Sequence, residues 1–249
     1  MGATLQVVQI PELQREAGLV HGFSTSAIGS VGLTHAPDPI PVLAARRAFA
    51  RALGVDADHL TTAGAVHGAW VARIDEPRDV VDGVDALVTD RVGVGLFATF
   101  ADCYPIVLWD PERRCVALAH AGWRGTLAGV GLAAVKAMHD EFGSEPSRIV
   151  AGIGPGICGE CYEVGEEVAS RFDPRFVTAG HGDRFHLDLA AANRAQLEAA
   201  GVQHVHVLAL CTKETAFLPS HRRSPDGTRF GAIVAIREGA GWMGLTDLR

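Results

Sequence analysis

No stretch of this chain approaches the ~20 apolar residues that a bilayer-spanning helix needs. The opening MGATLQVVQIPELQREAG has no basic start and no sustained apolar run, and polar residues interrupt it by Glu12, so it does not read as a secretory signal. Clustered cations are equally scarce. The 22 Lys and Arg against 29 Asp and Glu give a formal net charge of −7, whereas affinity for a phosphate backbone is built from grouped Lys and Arg. Neither a membrane nor nucleic acid is therefore expected as a partner. Cysteine is sparse, odd in number at five and irregularly spaced. In a chain large enough to fold without disulfides this fits a reducing compartment, and the expectation is a cytoplasmic protein. No GxxxxGK[ST] loop occurs, which removes P-loop nucleotide binding.

A linker is missing too. No Pro/Gly/Ser-rich stretch, internal repeat or charge run divides the chain, and the simplest organisation is one domain over residues 1–249. Apolar surface is abundant: at 48% hydrophobic residues a substantial core can be buried. Val42 to Leu53 has helical apolar spacing, follows Pro41 and stops before Gly54, so both ends carry helix punctuation. A second helix is expected from about Thr126 to Phe142, and a third from an Asp188 N-cap through Leu197 to Gly201. Runs of apolar and β-branched residues at Val94–Phe100, Ile106–Trp109, Cys115–Ala119, Ile149–Ile153, Val205–Leu210 and Phe230–Ile236 read as strands. Those near 94, 106 and 115 follow one another across short turns such as Asp110-Pro111. That order points to an α+β fold with mixed sheets and away from a Rossmann-like alternation.

Three residues carry candidate chemistry. Cys103, in ATFADCYPIVLWD, falls between two expected strands, where backbone pairing stops and a sulfur can face a pocket; the competing reading is a buried cysteine acting as a small hydrophobe. His120 lies in LAHAGWRG with Trp123 and Arg124, and Gly122 and Gly125 allow close backbone approach just before a helix. His67 sits in the glycine-flanked GAVHGAW, poor material for a helix interior, and by itself is equally well a structural or surface histidine. One thiolate and two imidazoles suit zinc or copper, with a fourth position open for water or substrate. The spacing matches no local zinc-binding rule.

The strings HGFST at 21–25, VHG at 66–68, DALVTD at 85–90, ADCYPI at 101–106, HAGWRG at 120–125, IGPGICGECYEVG at 153–165, HLDL at 186–189 and FLPSHRR at 217–223 run in the order of a known family. The chain resembles the YfiH/YlmD family, also called the DUF152, polyphenol-oxidase-like or laccase-domain family, over nearly its whole length. The resemblance implies a layered α/β/β/α fold akin to bacterial deamidase toxins, and a catalytic metal site of His67, Cys103 and His120 holding zinc, with copper as the alternative. It also implies phosphorolysis of adenosine, inosine and methylthioadenosine, together with adenosine deamination. A purine nucleoside and phosphate are then the partners, and the protein is a monomer or homodimer. Alternatives tied to the same resemblance are copper-dependent polyphenol oxidation and peptidoglycan-precursor editing. A metal-free Cys–His hydrolase or deamidase, with Cys103 as nucleophile and His120 as base, is a further reading.

The sequence departs from the family pattern in two places. HGFSTSAIG puts Ser26 where a basic residue is usual and Ile28 where a glycine is, and Gly227-Thr228-Arg229 stands where TGR is usual. These departures move the expected anion-binding role to Arg124, Arg222 and Arg223, since arginine offers bidentate contacts to anions. Cys158 and Cys161 form a CxxC, but without a βαβ setting a redox pair is not expected. His204 and His206 share one face of an expected strand, a pattern ordinary on an edge.

Overall fold

A computed structural model of the protein describes residues 6–34 and 36–237. Its strands, in chain order, are β1 (Val7–Val8), β2 (Leu19–Ser24), β3 (Leu60–Gly64), β4 (Val71–Arg73), β5 (Val80–Asp82), β6 (Ala86–Thr89), β7 (Gly95–Phe100), β8 (Tyr104–Asp110), β9 (Cys115–Ala121), β10 (Val150–Ile153), β11 (Glu163–Val164), β12 (Val177–Ala179), β13 (Phe185–Leu187), β14 (His204–Val207) and β15 (Phe230–Ile236). The α-helices are α1 (Pro39–Ala52), α2 (Trp123–Ala128), α3 (Val130–Phe142), α4 (Glu166–Ala169) and α5 (Leu189–Ala199). Two six-stranded mixed sheets run in the orders β1-β2-β15-β7-β3-β5 and β14-β10-β8-β9-β6-β4, with a small β11-β13-β12 sheet beside them.

Alternation along the strands sorts side chains into layers. In β7 and β15, Leu96, Ala98, Phe100, Phe230, Ala232 and Val234 face a core they share with Val107, Trp109, Val116 and Leu118 of β8 and β9. The intervening residues of the second sheet, Ile106, Leu108, Ala117 and Ala119, turn the other way and pack on Ala134, Val135 and Met138 of α3 and Ala192 and Leu197 of α5. On the far side of the first sheet, Phe97 and Ile233 meet Ala45, Phe49 and Ala50 of α1. The result is the layer order α/β/β/α, an α+β fold with mixed sheets as the sequence suggested.

Element ends differ from the sequence expectation where one residue decides. Asp38 accepts a hydrogen bond from the Ile40 amide and starts α1 ahead of Val42. The helix expected over 126–142 is two helices: Gly129 takes φ +74°, a left-handed conformation that ends α2 and opens α3 in a new direction. Asp188 caps α5 as expected, accepting from the Ala191 amide at 2.9 Å. The strand expected over 205–210 is β14, and it occupies an edge of the second sheet, so His204 and His206 lie on that edge.

Candidate metal centre

His120 follows Val116 and Leu118 at the period of a strand, so its ring faces the layer between the two sheets, near the end of β9. There it stacks on Phe100 at 4.6 Å between centroids, and Phe100 stacks on Phe230. Cys103 sits on the β7–β8 turn, opposite β9. That turn is tight: Asp102 takes φ +85°. It is held by three hydrogen bonds, from the Ile157 amide to the Asp102 carbonyl (2.9 Å), and from the Thr212 hydroxyl (2.6 Å) and the Arg222 amide (2.7 Å) to its carboxylate. A non-glycine residue in that region costs about 1–3 kcal/mol, which the surrounding bonds offset. His67 lies on the β3–β4 connection, also at positive φ, +63°. Asp85 fixes this connection: its carboxylate accepts from the Val66 amide at 3.0 Å, and its carbonyl accepts from the His120 amide at 2.7 Å.

The sulfur of Cys103 and one ring nitrogen each of His67 and His120 thereby lie within 4.8 Å of one another, although they come from two connections and a strand far apart in sequence. Gly122 clears the space: a Cβ there would stand 2.8 Å from the Cys103 sulfur and 3.3 Å from the His67 ring. Burial, with His67 and Arg229 adding to it, lowers the His120 pKa to about 3, so the ring is neutral at pH 7 and presents a lone pair. Burial and the adjacent Asp102 carboxylate push Cys103 up to about 12 against the pull of Arg229. Both ring nitrogens of His120 are buried without a hydrogen-bond partner among the described residues. A buried imidazole left so would be costly, and a cation shared with a neighbouring thiolate and imidazole removes the cost. The N₂S donor set fits zinc or copper.

The trio stands between two cavities. The larger, about 540 Å³, includes Arg46, Thr62, Asp82, His221 and Arg229 on its walls. The smaller, about 130 Å³, shares Cys103 and His67 with the larger and is lined also by Asp102, Trp123, Arg124 and Tyr162. The family described as multi-copper polyphenol oxidoreductase laccase matches residues 15–237. The chain belongs to this YfiH/YlmD family. A purine nucleoside phosphorylase of Deinococcus radiodurans is 42% identical over 88% of this chain and 90% of its own length. An adenosine deaminase from an unknown prokaryotic organism is 40% identical over 69% of this chain and 71% of its own. The crystal structure of YlmD from Geobacillus stearothermophilus superposes with a TM-score of 0.87 at 32% identity, over 96% of this chain and 98% of that one. These YfiH/YlmD relatives are enzymes, and so is this chain.

Of the three arginines singled out by sequence, Arg124 lines the smaller cavity, with its guanidinium 4.2 Å from the Trp123 ring. Arg222 lies over the Tyr162 ring and donates to the Glu163 carbonyl. Arg223 does something different. Its guanidinium donates to the carbonyls of Thr212, Lys213, Thr215 and Leu218, tying up the loop before it. It lines a separate depression with Ser26, away from the trio. Arg229, set aside by sequence because its motif is irregular, lines the larger cavity and acts on both Cys103 and His120. Asp85 was visible only as part of DALVTD; nothing in that string shows that its side chain would reach back to Val66.

Proposed function

We propose that this protein is a metal-dependent purine nucleoside phosphorylase acting on adenosine, inosine and methylthioadenosine, with adenosine deaminase activity at the same site. The observation that carries the reading is the joint placement of the His67–Cys103–His120 cluster and Arg229 on one cavity. Its size falls in the roughly 300–1,000 Å³ range of small-molecule pockets. The relatives' names support the same reading.

The three side chains would hold zinc or copper, and the bound ion would supply Lewis acidity. The protein's own contribution is charge and shape. Arg229 and Arg46 on the larger cavity, with Arg124 on the other side of the trio, attract and orient phosphate; Arg46 is anchored by donating to the Val31 carbonyl at 2.8 Å. Phosphorolysis passes positive charge to the ribose while the purine leaves with an electron pair and must be protonated. Asp82 and His221 are the titratable groups on the cavity wall, among the described residues, outside the trio and the arginines, and one of them meets the purine. Deamination needs no second anion. The test follows from that difference: adenosine with phosphate should give adenine and ribose 1-phosphate, with inosine as a second product, and Arg229→Ala should cut the phosphate-dependent product far more than inosine. Equal losses of both would refute the phosphate assignment, and phenol oxidation tracking copper content without nucleoside cleavage would refute the whole reading.

A further inference from the structure

The CxxC of Cys158 and Cys161 does not stand alone. A parallel bridge joins Gly156 to Cys211, the Thr212 amide donates to the Gly156 carbonyl at 3.0 Å, and the Gly156 amide donates to the Leu210 carbonyl at 3.3 Å. Two segments remote in sequence are thus locked side by side by backbone bonds. This brings a third sulfur and a carboxylate to the pair: one ligand atom from each of Cys158, Cys161, Cys211 and Glu214 lies within 4.8 Å of the others. We propose that these four residues form a second metal site, separate from the His67–Cys103–His120 cluster, that holds a structural zinc ion.

Several features of the cluster belong to thiolate metal sites. Cys158 and Cys161 lie on one turn, where the Cys161 and Tyr162 amides both donate to the Cys158 carbonyl, at 3.0 and 2.9 Å. The Cys211 sulfur accepts from the Cys158 amide at 3.4 Å. Such an N–H donor spreads the charge of a ligating thiolate. Tetrahedral zinc with sulfur at ~2.3 Å sets its sulfurs about 3.8 Å apart, so the cluster needs only a small contraction to close on an ion. Three sulfurs and one carboxylate fill four positions, leaving none open, which is the pattern of a structural site. Soft sulfur also excludes magnesium and calcium. A disulfide accounts for less: it joins two of the three cysteines and leaves the third sulfur and Glu214 without a role. Binding releases the thiol protons to solvent.

The consequence reaches the other site. Ile157 and Tyr162 flank the CxxC and line the cavity that holds Arg124, and Thr212, next to Cys211, grips Asp102 beside Cys103. An ion here pins the segment that lines that cavity to the one that grips Asp102, without touching substrate. The experiment is metal analysis of full-length protein purified without an affinity tag from zinc-supplemented cells. Two equivalents of zinc per chain are expected. One should survive in His67→Ala/Cys103→Ala, and cobalt loaded into that variant should show thiolate-to-metal absorption. Cys161→Ser/Cys211→Ser should also keep one equivalent. Should that variant fail to fold, alkylation of the native protein decides: Cys158, Cys161 and Cys211 should be protected until a chelator is added. The proposal is overturned if His67→Ala/Cys103→Ala retains no zinc, or if the freshly isolated protein holds a disulfide among these cysteines. Neither outcome bears on the proposed phosphorolysis.

Discussion

Replacing Gly122 by alanine tests the geometry of the trio with a single methyl group. Gly122 precedes α2 with φ −83° and ψ 178°, extended backbone open to any residue, so alanine is not strained there, although as a cap it is about 0.5–1 kcal/mol worse than glycine. The new Cβ, however, would lie 2.8 Å from the Cys103 sulfur, well inside contact, and 3.3 Å from the His67 ring. Relieving an overlap of that kind costs about 1–3 kcal/mol. If it is relieved by moving Cys103 or His67 away from His120, zinc affinity falls roughly 5- to 150-fold. Competition against a chromophoric chelator measures the loss, and the melting temperature of the metal-free protein, read in parallel, reports the part of the cost borne by the fold, about 2–4 °C per kcal/mol. A Gly122→Ala protein that binds zinc as tightly as the parent would refute the argument that this glycine makes room for a convergent site.

His21, like His120, makes stability fall as the solution is acidified. Burial lowers the His21 pKa from 6.5 to about 4, and the Ile10 amide donates to its Nε2, which must be unprotonated to accept. The unfolded chain therefore binds the extra proton between those values, and stability is lost as pH falls from 6.5 toward 4. Between pH 7 and pH 5 the loss is about 2 kcal/mol, read from urea melts, and His21→Gln should remove that share; an unchanged pH slope would contradict it. Cys103→Ala should abolish both phosphorolysis and deamination in product assays, because one substitution removes a third of the ligands. Arg223→Lys should lower the melting temperature while leaving the KM for phosphate unchanged, since the guanidinium is committed to carbonyls. Asn193 ties α5 to α2 by donating to the Thr126 hydroxyl at 2.9 Å and also donates to the Leu189 carbonyl at 2.8 Å; Asn193→Ala should cost ~2 kcal/mol in chemical denaturation.

β7, β8, β9, β10 and β15 were legible from their apolar runs, whereas β2 and β6, although buried throughout, were not, His21, Gly22 and Ser24 breaking the run of β2 and β6 being four residues long. β4, β5 and β11 were not, being two or three residues long and stabilised by their neighbours. The break at Gly129 could not be separated from a tolerated glycine inside a helix, since only the left-handed φ distinguishes them. Period two in β9 places His120 beside Val116 and Leu118, but nothing local to His67 or Cys103 shows that they meet it; only the family motifs grouped them. Arg229 and the Cys211–Glu214 pair were missed for a related reason. Each reaches its partners through pairings between segments far apart in the chain, and such contacts leave no periodic trace.

The position of β15 between β2 and β7 governs when this protein can become itself during synthesis. The second sheet and α3 and α5 draw only on residues between β4 and β14, so a nascent chain can assemble them early. The first sheet cannot close then, because its central strand is made after every other strand of both sheets. Until Phe230–Ile236 leave the ribosome, β2 and β7 lack the strand that separates them, and the apolar face of the second sheet that Phe230, Ala232 and Val234 will cover stays open. Phe100, on which His120 stacks, also lacks Phe230 until that moment. A half-made chain therefore carries His67, Cys103 and His120 without the wall that holds them in place, and premature release leaves a sticky sheet instead of a smaller enzyme.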